Sequence, residues 1–294
     1  MRDLRPRTRE AYLLYPVLLG RHAGADPATL GEEPVRAFCL FLRHERHYAG
    51  SSLALVRAAL RAFYAEHLGT GKAWKLWEEI KVRRGQTLPV VLTREEVARL
   101  LGSVRTDRYR TLLRLIYHTG LRVREACRIE VAQLRAHPGR VLVRQGKGGK
   151  DRLVPLAPEM LADLRRFWRR HRNPRWLFPA LGSGHRRGKE PRAAQARRAT
   201  GPLSESAVQN ACRLALAASG INKAATPHTL RHSYATHLLE EGISIRLISQ
   251  YLGHASLEVT LIYTHLSAVS ESQAVEALQR LYRQAAHEPS KQPN

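Results

Sequence analysis

Along most of this chain apolar residues recur at spacings of three and four. Most clearly at RVLVRQGKGGKDRLVPL (Arg140 to Leu156) the pattern changes to short β-like runs around a Gly-rich turn. That contrast confines the chain to a mainly helical architecture with a small antiparallel sheet. At 294 residues the chain exceeds the usual size of a single core, so one large or two moderate domains are expected, and its 44% hydrophobic content can fill them.

From Thr8 to about Leu68 the pattern is helical. AYLLYPVLL, PVRAFCLFLRHER and SSLALVRAALRAFYAEHL are separated by turns at GRHAGADP and YAGSS. Ser51 and Ser52 are candidate caps, and Pro16 is expected to kink or split the first helix. Residues 1–84 therefore read as a small helical domain and 85–92 as a linker. Thr93 with Glu96 then makes a capping-box start for a second domain spanning 93–287. In that domain two helical segments break at Thr119-Gly120, and the hairpin and a helix around PEMLADLRRFWRRHR follow. The basic stretch 182–200 lacks an apolar period and reads as a mobile loop, and helices resume at LSESAVQNACRLALAASG. Residues 288–294 read as a disordered tail.

Charge narrows the function. Forty-nine Lys and Arg face 25 Asp and Glu, a formal balance of +24, and the arginines run along the whole length. Such a chain repels itself unless a polyanion is near, and an extended basic surface suits a nucleic acid backbone better than a basic tail does. Cys39, Cys127 and Cys212 each sit inside an apolar helical pattern, which disfavours a disulfide framework and places the chain in a reducing cytoplasm. The first residues mimic a signal peptide, but two tyrosines and Pro16 break an apolar run of only about ten residues. No window approaches the roughly 18 apolar residues of a membrane span.

The stretch TPHTLRHSYATHLLEEG (Thr226 to Gly242) carries chemistry. Thr226 can cap, Pro227 suits the first helical position, His228 lies in the first turn and Arg231 falls on the same face. A helix N-terminus with His and Arg can gather one anion, although a capped helix with a surface Arg and a packed His reads the same residues more plainly. Zinc is not expected, since HExxH is absent and no Cys stands at a ligand spacing. GKGG lacks the upstream glycine and the following Ser or Thr of a P-loop.

Four more pieces join it: TGLRVRE (Thr119 to Glu125), QGKGGKDRLVPL (Gln145 to Leu156), LGHASLEV (Leu252 to Val259) and IYTHL (Ile262 to Leu266). In order and spacing these resemble the catalytic boxes of the tyrosine recombinase, or phage integrase, family, including its Xer-type and integron-type enzymes. The resemblance covers about Thr93 to Leu266. It implies an N-terminal helical core-binding (SAM-like) domain and a C-terminal α+β catalytic domain of the DNA breaking-rejoining fold.

The resemblance implies that Tyr263 is the nucleophile, that Arg122 and Arg231 clamp the phosphate, that Lys147 is the hairpin lysine, and that His228 and His254 complete the site. It makes Glu125 an acidic support behind these residues. Arg124 departs from the small residue frequent at that position. The resemblance further implies double-stranded DNA as partner, a homo-tetramer assembled on it, and no cofactor or metal. Lys150, Arg186 and Arg187 are expected to touch DNA. A DNA-relaxing enzyme of the type IB topoisomerase class, or a non-catalytic DNA-binding relative, are the competing readings.

The residue types suit the reaction. A phosphodiester repels nucleophiles, and extra charge gathers in the transition state; arginine forks on its nonbridging oxygens answer both difficulties. A phenol with pKa near 10 is about one part in a thousand ionised at pH 7, so it needs cations or a base such as His228 beside it. The leaving 5′ oxygen needs a proton, and a lysine on a short hairpin can supply it as general acid.

Overall fold

The computed structural model describes residues 6–79, 89–135, 139–144, 151–181, 191–253, 256–264 and 279. The chain divides into two compact units, Met1–Thr87 and Leu88–Asn294.

The first unit contains helices α1 (Pro6–Ala23), α2 (Glu32–His44), α3 (Gly50–Arg61) and the short α4 (Leu76–Glu79). Apolar periodicity builds it: Val35, Phe38, Cys39 and Leu42 of α2 and Leu53, Val56, Ala59 and Leu60 of α3 face one core with Tyr15, Leu19 and Tyr64. The fully buried Tyr64 donates its phenol proton to the Pro27 carbonyl, and Trp77 donates its indole N–H to Gly71. Two expectations need correcting. Pro16 lies within α1 and does not split it, since the helix is anchored by Tyr15 and Leu19, buried on either side. Ser51 and Ser52 lie inside the first turn of α3, whose N-cap position is Ala49.

In the second unit Thr93 and Glu96 form the expected capping box, with Thr93 N–H donating to the Glu96 carboxylate at 2.8 Å and Glu96 N–H to the Thr93 hydroxyl at 3.2 Å. They open α5 (Arg94–Gly102), followed by α6 (Asp107–Thr119), α7 (Val123–Cys127) and α8 (Val131–Arg135). Strands β1 (Arg140–Val143) and β2 (Arg152–Pro155) pair antiparallel with Val143 opposite Arg152. Next come α9 (Pro158–Arg169), α10 (Arg192–Arg198), α11 (Glu205–Ala218), α12 (Pro227–Glu240), α13 (Ile245–Leu252) and α14 (Glu258–Leu261).

The main core of this unit joins Leu112, Leu113, Leu115 and Ile116 of α6 to the inward faces of the hairpin and α11. Within it α12 is buried on nearly every side. Its Ser233 hydroxyl accepts a hydrogen bond from Leu92 N–H at 3.0 Å, which ties the entry of the unit to its centre.

Residues 191–200 correct the mobile-loop reading of 182–200. They carry α10, held from beneath by the fully buried Asn173, whose amide donates to the carbonyls of Ala196 at 2.8 Å and Ala199 at 2.9 Å. Trp176 donates its indole N–H to Thr200. A polar side chain far earlier in the chain makes these contacts, so local periodicity carries no trace of them. Residues 182–190 lie outside the described residues. Cys39, Cys127 and Cys212 are buried free thiols within α2, α7 and α11. Among the described residues no helix is long and apolar enough to cross a membrane.

Candidate active site

The site is organised by the C-terminal end of α13. A helix ends with carbonyls that lack intrahelical partners and carry the negative end of the macrodipole. Here three successive ones face three arginines. Tyr251 accepts from Arg152 Nε at 2.8 Å, Leu252 from Arg231 at 2.8 Å, and Gly253 lies 3.4 Å from Arg122. Gly253 closes the helix in the left-handed conformation expected of a C-cap, with φ 63°.

Arg231 comes from the second turn of α12 and is only 3% exposed. Its other guanidinium nitrogen donates to the carbonyl of Gly120, the left-handed cap of α6. Two helix C-termini thus compensate one buried cation. A side chain at Gly120 is excluded twice over, by its φ of 63° and because a Cβ would lie 2.6 Å from the Tyr234 ring. Desolvation, and then repulsion by Arg122, push the Arg231 pKa down to about 10, which leaves the guanidinium charged at neutral pH.

Arg122 stands at the N-cap of α7. Glu125, three residues on, accepts from its backbone N–H and from its guanidinium, both at 2.9 Å. The same carboxylate takes a second fork from Arg152, at 2.6 and 3.1 Å. Burial opposes the Glu125 charge, but Arg152 and then Arg122 outweigh it and hold the carboxyl below its usual range. Two guanidinium groups share this one carboxylate and Arg231 adds a third cation nearby, so the cluster keeps an excess of positive charge, and the side chain of Arg122 remains 22% exposed. That combination suits an anion.

Tyr263 follows α14 and is 2% exposed, packed with Tyr234, Ala235, Ile248 and Leu252. Its phenol oxygen lies 2.9 Å from Nδ1 of His232. Burial raises the phenol pKa, and Arg231 and Arg122 counteract only part of that rise. Burial, followed by His228 and Arg231, pushes His232 down to about 4, so its imidazole is neutral at pH 7. His228 is at the surface in the first turn of α12; packing around its ring, then Arg231 and Arg122, keep its pKa below the usual imidazole value. Thr226 occupies the N-cap with Pro227 as the first helical residue, and its N–H donates to the Thr229 hydroxyl at 3.0 Å.

Arg122, Glu125, Arg231, His228 and Tyr263 are thus gathered around α12 and the end of α13. Lys147, Lys150, Arg186, Arg187 and His254 lie outside the described residues. Arg124 is exposed, 3.8 Å from Glu205. Two participants escaped the sequence reading. Strand alternation puts Arg152 on the inward face with Val154, but nothing local marks Glu125 and Tyr251 as its partners. His232 directly follows Arg231, and no local pattern marks it as the partner of a tyrosine 31 residues away. Among the described residues no three His, Cys, Asp or Glu side chains group as a metal site would require.

Comparison with known proteins adds an independent finding. Residues 90–269 match the phage integrase family, and residues 1–73 match the phage integrase N-terminal SAM-like domain. A putative integrase/recombinase of Sinorhizobium fredii is 34% identical over 294 residues, covering 100% of this chain and 90% of that protein. Tyrosine recombinase XerA of Pyrococcus furiosus is 33% identical over 277 residues, covering 93% and 90%. In fold, the chain is similar to a lambda integrase tetramer bound to a Holliday junction, with a TM-score of 0.66 at 22% identity over 89% of this chain and 72% of that one.

Proposed function

As a member of the phage integrase family the chain is a tyrosine site-specific recombinase, and we propose that Tyr263 cuts duplex DNA by becoming covalently joined to it. The observation that supports this most is the convergence of Arg122 and Arg231, far apart in sequence, on the end of α13 beside the phenol.

In this reading both guanidinium groups hold the nonbridging oxygens of one phosphodiester, and their charge answers the charge that builds in the transition state. The Tyr263 oxygen attacks phosphorus and the bond to the 5′ oxygen breaks, with its electron pair going to that oxygen. Lys147 supplies the proton the leaving group needs, which frees a 5′ hydroxyl. The phenol proton passes to an imidazole. His232 and His228 are both held below the usual imidazole pKa, and His232 is the one the phenol already touches. His254 completes the grip on the phosphate, and Glu125 orients Arg122. The product is a 3′-phosphotyrosyl strand that keeps the energy of the broken bond, so a 5′ hydroxyl from another duplex can reverse the attack and join.

The partner is double-stranded DNA, and the working assembly is a homo-tetramer on it, as in the lambda integrase complex. The formal charge of +24 supports backbone binding, with log K falling by about 0.9 per phosphate neutralised as log salt rises. Lys150, Arg186 and Arg187 belong to that backbone-contacting set, and the reaction takes place in the cytoplasm. Sequencing DNA junctions in cells that express the chain beside its own genomic neighbourhood tests the reading. Precise junctions between two short sites are expected. Relaxation of supercoils with no new junction contradicts it.

A further inference from the structure

We propose that Arg152 is a positioning residue of this site: it neutralises Glu125 so that Arg122 keeps its charge free for the phosphate. The inference rests on the recombinase reading above and deepens it.

Arg152 is placed by the hairpin. On β2 it alternates inward with Val154, and its side chain is 10% exposed. Each nitrogen of its guanidinium makes a bond: Nε to the Tyr251 carbonyl at 2.8 Å, and the two terminal nitrogens to the two Glu125 oxygens at 3.1 and 2.6 Å. It also fills the space beneath Gly253, where a Cβ would lie 2.9 Å from its Cδ and 3.0 Å from its Cζ. With these bonds made inward and little of its side chain exposed, Arg152 is directed at Glu125 and the end of α13. Its neighbour Arg122 spends one nitrogen on Glu125 and retains partial exposure.

The electrostatics assign the role. Glu125 alone beside Arg122 makes a neutral pair, and a carboxylate that close offsets part of the arginine's attraction for an incoming phosphate. With Arg152 forked onto both oxygens, Glu125 still orients Arg122 while the trio carries a net positive charge. Through Nε the same side chain binds the hairpin strand to the end of α13, so the two elements hold a common geometry.

The test is single-turnover cleavage of a saturating DNA substrate by the full chain. Arg152→Met is expected to slow cleavage about a hundredfold. Adding Glu125→Gln to Arg152→Met removes the uncompensated carboxylate and is expected to restore about tenfold, an outcome that simple loss of packing does not produce. Arg152→Lys keeps the charge and reads the proposal independently of how well the methionine variant folds. It is expected to stay within about tenfold of the unaltered chain. A double variant no faster than Arg152→Met, or a lysine variant that loses more than about a hundredfold, overturns the proposal. If the unaltered chain forms no covalent adduct, it is the recombinase reading that fails.

Discussion

Helices α2 and α12 have nearly the same length, 13 and 14 residues, and bury themselves by different rules. The former hides Val35, Phe38, Cys39 and Leu42 on one face and leaves Leu40 48% exposed on the other. The latter hides Thr229, Arg231, Ser233, Thr236 and His237 along with its apolar residues. Hydrophobic area holds the first helix in place. The second depends on polar groups finding partners: Ser233 with Leu92 and Thr229, Arg231 with Gly120 and Leu252, and His237 with Tyr117 at 2.9 Å. A helix of the second kind carries function because the buried polar groups that find partners, Arg231 among them, are fixed in direction as well as in place.

Breaking the polar rule should have the larger effect. Arg231→Ala leaves the carbonyls of Gly120 and Leu252 without their buried donor, at a cost of about 1–3 kcal/mol each. It also removes a preorganised cation, so DNA cleavage should fall about a hundredfold to a thousandfold. A thermal melt and a single-turnover assay on one preparation check both. Normal cleavage by a destabilised variant would separate the buried arginine from the chemistry.

Phe38→Ala breaks the hydrophobic rule. The side chain is 2% exposed in the core of the first unit, and its truncation should cost about 3–5 kcal/mol of that unit's stability. DNA affinity should weaken while the cleavage rate on saturating DNA stays unchanged. A slowed rate at saturation would show that the first unit takes part in more than binding.

Acid sharpens the comparison by a smaller effect. His118, His171, His232 and His237, all in the second unit, are held below the usual imidazole pKa chiefly by burial, His232 at about 4. Each binds a proton more readily unfolded than folded. Their stabilising contribution is therefore complete above about pH 6.5 and is lost as pH falls toward 4. Melting temperature should drop between pH 7 and pH 5, and His232→Gln should flatten that drop. An unchanged slope in the variant would mean the imidazole beside Tyr263 is not held neutral by the fold.

The same contrast explains what the sequence made legible. Apolar period announced α2, α3 and α6, the capping box announced α5, and short β-like runs around a Gly-rich turn announced the hairpin, because each signal is local. The site was legible only through its motifs. Nothing in the period of α12 distinguishes it from a surface helix, and its meaning lies in contacts with Gly120 and Leu252, 111 and 21 residues away. Arg152 and His232 escaped for that reason, as did α10, fixed by Asn173 from 23 residues upstream. The glycine at 120 was visible as a break, and the structure adds why no side chain fits there or at Gly253.

The most direct test concerns the phenol oxygen of Tyr263. The unaltered chain and Tyr263→Phe are each incubated with a duplex carrying a recombination junction site mapped in cells, and protein-linked DNA is then resolved under denaturing conditions. The account predicts a covalent 3′-linked adduct with the tyrosine chain and none with phenylalanine, although both bind the duplex equally. An equal yield of cut DNA from the phenylalanine chain would contradict it.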